Sequence, residues 1–260
     1  MIEKNTHHIE TTAPDQGEVV LEIKNLNKSF GTNHVLKNFN LRLYKGENLV
    51  IMGKSGSGKS VMIKCLVGLM EADSGVISVL HKDITRLDQK ALDLMRGDIG
   101  FLFQGSALYD SMTVRENLEF PLRRHAAFNH SDEELDKRVI EALENVGLAH
   151  ALSLMPSELS GGMQRRVALA RTLILQPKII LYDEPTSGLD PITAKEIIQL
   201  MKEIQEKYKT SSIIITHDVD CARVISDRMI LLIDGTNYAE GSFEKLSASN
   251  DPKVKAFFKH

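Results

Sequence analysis

The stretch from Asn48 to Met70 restricts what this chain can fold into more than any other part of it. A short apolar run, Asn48-Leu49-Val50-Ile51-Met52, leads into Gly53-Lys54-Ser55-Gly56-Ser57-Gly58-Lys59-Ser60, and Val61 to Met70 then carries the apolar content of a buried helix. The order is strand, loop, helix. The loop fits the spacing G-x-x-x-x-G-K-[ST], and the two flanks supply the context that this spacing needs before it carries weight. Glycines at 53, 56 and 58 let the backbone curl round an anion with successive N–H groups pointing inward. The helix that starts beneath the loop adds its unpaired N–H groups and the positive end of its dipole. In such a loop Lys59 reaches the β- and γ-phosphates of a nucleotide and Ser60 offers its hydroxyl to Mg2+. Gly53 to Ser60 therefore read as a phosphate site rather than as a Gly/Ser-rich turn that binds nothing.

Around this stretch the pattern predicts an α/β chain. Residues 1–18 are polar and aperiodic, with Pro14 and Gly17, and are expected to form a mobile tail; the adjacent His7 and His8 have no further ligands nearby to make a metal site. Val19, Leu21 and Ile23 alternate, as do Phe39, Leu41 and Leu43, which predicts antiparallel strands leading to the turn at Lys45-Gly46-Glu47. Phe30, beside Gly31 between the two runs, reads from the residues alone as a core side chain. Strands are expected at 75–79 and 99–103, the second running into Gln104. From Gln104 to about Glu158 the pattern is helical, with capping boxes at Thr113/Glu116 and Ser131/Glu134 and an apolar stripe of Leu135, Val139, Leu143 and Val146. This reads as a helical insertion. Ser160 is placed to cap a helix bearing Val167, Ala170 and Ile174, and Ile179 to Tyr182 form a strand buried on both faces that ends in Asp183 and Glu184. Asp190 and Pro191 start another helix, with Ile197, Met201, Ile204 and Tyr208 on one side. Residues 212–216 form a further buried strand that delivers His217, and 224–233 read as one more. The tail from Asp251 to Phe258 is expected to close on the body or on a partner. Because open parallel sheets bind ligands at the carboxyl ends of their strands, Gly53, Gln104, Glu184 and His217 are expected to converge.

Composition excludes several classes. With 32 Lys+Arg against 35 Asp+Glu the net charge is −3, so no nucleic-acid partner read by bulk charge is expected. Cys65 and Cys221 sit in apolar-periodic segments without CxxC spacing, as small core residues of a reducing compartment do. No run approaches the roughly 18 apolar residues that would span a bilayer, and the N-terminus lacks the apolar core of a signal peptide. A cytosolic protein that reaches a membrane only through a partner is the expectation.

Taken together, the phosphate loop, Gln104, Leu159-Ser160-Gly161-Gly162, Asp183-Glu184, Ser187-Gly188-Leu189-Asp190 and His217 resemble the nucleotide-binding subunit of ABC transporters over residues 19–245. The resemblance implies a P-loop NTPase with a RecA-like core, an antiparallel β subdomain, a helical subdomain at about 105–165 and a C-terminal tail at 246–260. It implies ATP and Mg2+ as ligands. Phe30 then becomes the aromatic that stacks on adenine, which reverses the core reading. Gln104 would touch Mg2+ and the attacking water while sensing a transmembrane partner. Asp183, at a strand end, offers a hard oxygen to Mg2+; Glu184 can orient the water as general base, and His217 can donate to the γ-phosphate or hold that water. Ser160, Gly161 and Gly162 cannot bend back to Lys59 of the same chain, so a second copy is expected to place them on the γ-phosphate, with Asp190 capping its helix and serving across the dimer. One departure is Met163, where the family most often has Gln.

A narrower resemblance, carried by residues 104–118 and 187–194 together with Met163, is to the ATPases of the Mla phospholipid transport family. It implies an MlaE-like permease, an MlaD-like MCE protein and an MlaB-like STAS protein, at the cytoplasmic face of a bacterial inner membrane. Two alternatives stand beside it: the ATPase of an amino-acid or other solute importer, and a non-transport ABC ATPase of translation, repair or metal-cluster assembly.

Overall fold

β1 (Val19–Phe30) begins at the first residue of the alternating pattern, and Leu21, Ile23 and Leu26 are buried. The computed structural model describes residues 17–125 and 131–258; residues 1–16 of the expected tail, with His7 and His8, lie outside the described residues. β1 pairs antiparallel with β2 (Asn33–Tyr44) across a turn at Gly31 and Thr32. Gly31 holds φ at +59° in the first central position, which glycine occupies without steric cost and which suits the twist of a hairpin. Phe39, Leu41 and Leu43 are buried, as the alternation requires. β3 (Asn48–Met52) follows with all five residues buried, and then α1 (Lys59–Leu66). β4 (Ser74–Val79) and β5 (Lys82–Asp83) complete an antiparallel sheet in the order β2-β1-β4-β5.

The chain falls into two compact units, one of residues 1–86 with 216–260 and one of residues 87–215. In the second, Asp88 caps α2 (Gln89–Gly97) by accepting from Ala91 N, and β6 (Ile99–Leu102) comes next. Both expected capping boxes are present: Thr113 with Glu116 opens α3 (Val114–Arg124), and Ser131 with Glu134 opens α4 (Asp132–Glu144). α5 (Gly161–Leu173), β7 (Ile179–Asp183), α6 (Pro191–Tyr208) and β8 (Ser211–Ile215) follow. β6, β7 and β8 run parallel in that order. Ile179 to Tyr182 and the whole of β8 are buried, the signature of strands covered on both faces.

Thr216 returns the chain to the first unit. α7 (Val219–Ile225) is a helix, so the strand expected from Val224 begins later, as β9 (Arg228–Ile233). Local chemistry overrides the apolar run here: the Asp218 carboxylate accepts from Asp220 N and Cys221 N and starts the helix. Asp227 then joins β3, accepting from Asn48 N at 2.8 Å and donating to Asn48 O at 3.0 Å. β9 lies parallel to β3 and antiparallel to β10 (Thr236–Gly241). Arg228, half-buried at the start of β9, is held by Glu47 at 2.7 Å and by Glu240. α8 (Phe243–Ser247) and α9 (Pro252–Phe258) close the chain on its own unit: Val254 is buried, Tyr238 donates to Asp251 at 2.8 Å, and Phe258 meets Phe243 edge-on at 5.5 Å. Cys65 and Cys221 are buried thiols.

Candidate nucleotide site

The loop after β3 is a tight cradle. Gly58, the residue before α1, has φ +106°, and a Cβ there would stand 3.0 Å from Leu36 Cδ2 and 3.1 Å from Val35 O. At Gly53 a Cβ would come within 2.4 Å of Ser57 Oγ and 2.8 Å of Leu232 O, so only glycine fits. Lys59 Nζ bends back over the loop to donate to Gly53 O at 2.6 Å and to Lys54 O at 3.1 Å. Ser57 Oγ is buried with no hydrogen-bond partner among the described residues. No side chain caps α1, so its first N–H groups face the loop as an anion site does. A buried hydroxyl lacking an acceptor, a lysine over the mouth and a helix N-terminus fit a chain of phosphates.

Phe30 is half-exposed, at 49 %, at the end of β1, so the core reading drawn from the residues alone does not hold. The side chain stands beside the hairpin turn, at the last residue of β1. A cavity of about 700 Å3 opens beside the cradle, lined by Lys54 to Ser57, by Asn33 to Val35 of the hairpin, by the β9–β10 turn and by Pro252 and Lys253 of α9. Thr216 N donates to Ile51 O at 3.4 Å, which sets His217 beside the carboxyl end of β3 within the same unit.

In the second unit Gln104 follows β6 by two residues, and its Nε2 donates to Ser187 Oγ at 3.3 Å. Asp183 ends β7. Glu184, next in line, sits at φ +49°, a left-handed conformation that a non-glycine residue holds only when its surroundings impose it. Its N–H donates to Ile215 O at 2.9 Å, and its carbonyl accepts from Ser187 N at 3.1 Å. Asp190 caps α6, accepting from Ile192 N at 3.0 Å and Thr193 N at 3.1 Å; the Thr193 hydroxyl and N–H together hold its carboxyl below the usual carboxylate range. Ser160 caps α5, accepting from Met163 N at 3.2 Å, so the change to methionine leaves the cap intact. Gly161 and Gly162 form the first turn of that helix, and a Cβ on Gly162 would press on Thr193 Cγ2 at 2.7 Å.

Sequence reasoning missed Arg165. Only 4 % exposed, it donates to three backbone carbonyls: Phe103 O at 2.8 Å, Gln104 O at 2.5 Å and Ser187 O at 3.3 Å. Desolvation pushes its pKa down, and Nε has no partner among the described residues. A buried charge held by carbonyls alone is expensive, so its presence marks these loops as needing to be fixed. The signal was available: Arg165 lies three and four residues before the buried Ala168 and Leu169, a charge on an apolar stripe. Among the described residues no group of three or more His, Cys, Asp or Glu side chains could hold a metal, and no helix is long and apolar enough to cross a membrane.

A family model described as "ABC transporter" matches residues 36–187. The chain is 39% identical to the intermembrane phospholipid transport system ATP-binding protein MlaF of Haemophilus influenzae, over 92% of this chain and 90% of that one. It is 38% identical to the methionine import ATP-binding protein MetN of Campylobacter jejuni, over 92% and 75%. Among solved structures it is similar to a dimeric post-hydrolysis state of the ATP-binding cassette MJ0796 bound to ADP and Pi, with a TM-score of 0.77 and 38% identity over 86% of this chain and 98% of that one. It is also similar to cbiO1 of Clostridium perfringens, part of the transporter complex cbiONQ, with a TM-score of 0.82 and 29% identity over 93% and 96%.

Proposed function

This chain belongs to the ABC transporter family as an ATP-binding subunit that hydrolyses ATP, and from that premise we propose that two copies of it drive phospholipid movement between the inner and outer membranes of a Gram-negative cell, preserving outer-membrane lipid asymmetry. The observation that carries the lipid reading is the identity to MlaF across nearly the full length of both chains.

The chain's own groups take the following parts. The inward N–H groups of Lys54 to Ser60, with Lys59, hold the β- and γ-phosphates, Lys59 exchanging its present carbonyl acceptors for phosphate oxygens. Phe30 stacks on the base. Ser60, Asp183 and Gln104 offer the hard oxygen donors that would hold Mg2+, whose chemistry when bound is to neutralise charge on the β- and γ-phosphate oxygens. Glu184 sets a water in line with the γ-phosphorus and takes its proton, while His217 holds the γ-phosphate or that water. Ser160, Gly161 and Gly162 of one copy close over the γ-phosphate bound by the other, with Asp190 across the same interface, so that a two-fold pair encloses two ATP. Closure on ATP and opening after hydrolysis form the power stroke, and the Gln104 loop passes it to the permease. The partners are an MlaE-like permease, an MlaD-like MCE protein and an MlaB-like STAS protein, which hold the chain at the cytoplasmic face of the inner membrane.

A second reading, the ATPase of a methionine or other solute importer, is favoured by the 38% identity to MetN. Purification of the tagged chain from detergent-solubilised membranes separates the two. Co-purification of an MCE-domain protein with the permease supports lipid transport; a periplasmic solute-binding protein in its place, or a complex lacking any transmembrane chain, overturns it.

A further inference from the structure

We propose that Asp73 is the positioning residue of the base platform: its carboxylate fixes the strand end that carries Phe30 and so sets how far the stacked base lies from the phosphate cradle. This rests on the reading of Phe30 as the base-stacking aromatic. Asp73 lies in the link between α1 and β4 and grips the last four residues of β1 at three points. Its N–H donates to Asn27 O at 2.9 Å, Ser29 N donates to its Oδ2 at 2.6 Å, and Lys28 Nζ donates to its Oδ1 at 2.8 Å. α1 is the helix whose N-terminus forms the cradle. One residue joined to the far end of that helix thus holds the strand that ends in Phe30.

Lys28, held by Asp73, puts its ammonium 5.6 Å from the centre of the Phe30 ring. A cation over one face of an aromatic ring is attracted to its π-cloud, and it leaves the other face for a base. The Lys28 ammonium in turn holds the Asp73 carboxyl below its usual range. Across the turn, Ser29 Oγ and His34 Nδ1 lie 2.8 Å apart, and Phe30 pairs with Asn33. Without the Asp73 carboxylate, the end of β1 would keep its strand pairing, the Asp73 N–H bond to Asn27 O and that turn, but would lose the holds on Ser29 N and Lys28 Nζ next to Phe30. A nucleotide, which spans cradle and platform, would sense the loosening; a bare phosphate chain would not.

Calorimetric titration of the full chain with ATP and with tripolyphosphate tests this, using Asp73→Ala, Asp73→Asn, Lys28→Met and Phe30→Ala. The expected result is ATP affinity weakened about threefold to tenfold by Phe30→Ala and Asp73→Ala, with tripolyphosphate binding unchanged. Asp73→Asn, whose amide oxygen can still accept from Ser29 N, and Lys28→Met fall between these and the unaltered chain, and KM for ATP rises in Asp73→Ala while kcat holds. Selective ATP loss in Phe30→Ala without any in Asp73→Ala overturns the role of Asp73 and leaves Phe30 standing; equal loss of both ligands in Asp73→Ala also overturns it. An unchanged ratio of the two ligands in Phe30→Ala instead removes the base platform itself. If Asp73→Ala does not fold, Asp73→Asn decides by the same ratio.

Discussion

Glu184 combines a carboxylate at the end of a buried strand with a backbone held at φ +49°. Left-handed backbone costs an ordinary residue about 1–2 kcal/mol, so the turn is maintained by what surrounds it, including the bond to Ile215 O. Glu184→Gln keeps the shape and removes the proton acceptor; ATP binding is expected to persist while kcat falls by about 10²- to 10⁴-fold, read by equilibrium binding beside steady-state kinetics. Unchanged turnover would remove Glu184 from the base role. Arg165 acts through others. Arg165→Met keeps the volume and relieves a buried charge but takes one donor from each of three carbonyls, of which Phe103 O keeps Ser106 N, two effects of opposite sign each on the order of 1–3 kcal/mol. Thermal midpoint should therefore move little, while kcat drops and amide exchange quickens around Gln104 and Ser187. A large loss of stability with normal kcat would make the residue merely structural.

At the scale of elements, α5 begins on a serine with two candidate duties, capping the helix and closing on a nucleotide. Ser160→Ala should cost about 1 kcal/mol through the lost cap alone. Ser160→Asp separates the duties, because aspartate caps equally well yet brings negative charge toward a phosphate. Its melting temperature should match the unaltered chain while ATPase activity collapses; retained activity would confine Ser160 to capping. The elements that could be read from the sequence are those whose signals are local. The alternation of Val19, Leu21 and Ile23, the two capping boxes and the apolar run before Asp183 each state their structure within a few residues. The start of β9 reads too early from the sequence because Val224 and Ile225 suit strand and short helix alike, and the Asp218 cap draws them into α7. Arg165 and Asp73 were missed for another reason: their partners include backbone atoms far away in sequence, which no spacing rule reveals.

For the whole molecule, the paired-copy reading makes a prediction that no single chain can meet. Lys59→Ala spoils the cradle and Ser160→Asp spoils the cap, and each chain alone should be inactive. Mixed, they form pairs in which one of the two composite sites joins an intact cradle to an intact cap. Partial recovery of ATPase activity on mixing is expected, and none would argue that each copy works alone. The proposed cargo has no counterpart among the residues of this chain. What the sequence carried there was likeness to relatives, while the cradle carried its own chemistry.

The first unit is discontinuous: β3 and the cradle precede residue 87, whereas β9, the parallel neighbour of β3, follows residue 215. During translation the entire second unit must leave the ribosome between them, a delay on the order of ten seconds at ordinary elongation rates. Throughout that interval β3, with its four apolar residues Leu49 to Met52, lacks the neighbour it is shaped to meet, and such a ribbon is prone to pair with other nascent chains. A binding pocket begun early and finished late thus stays incomplete until β9 emerges.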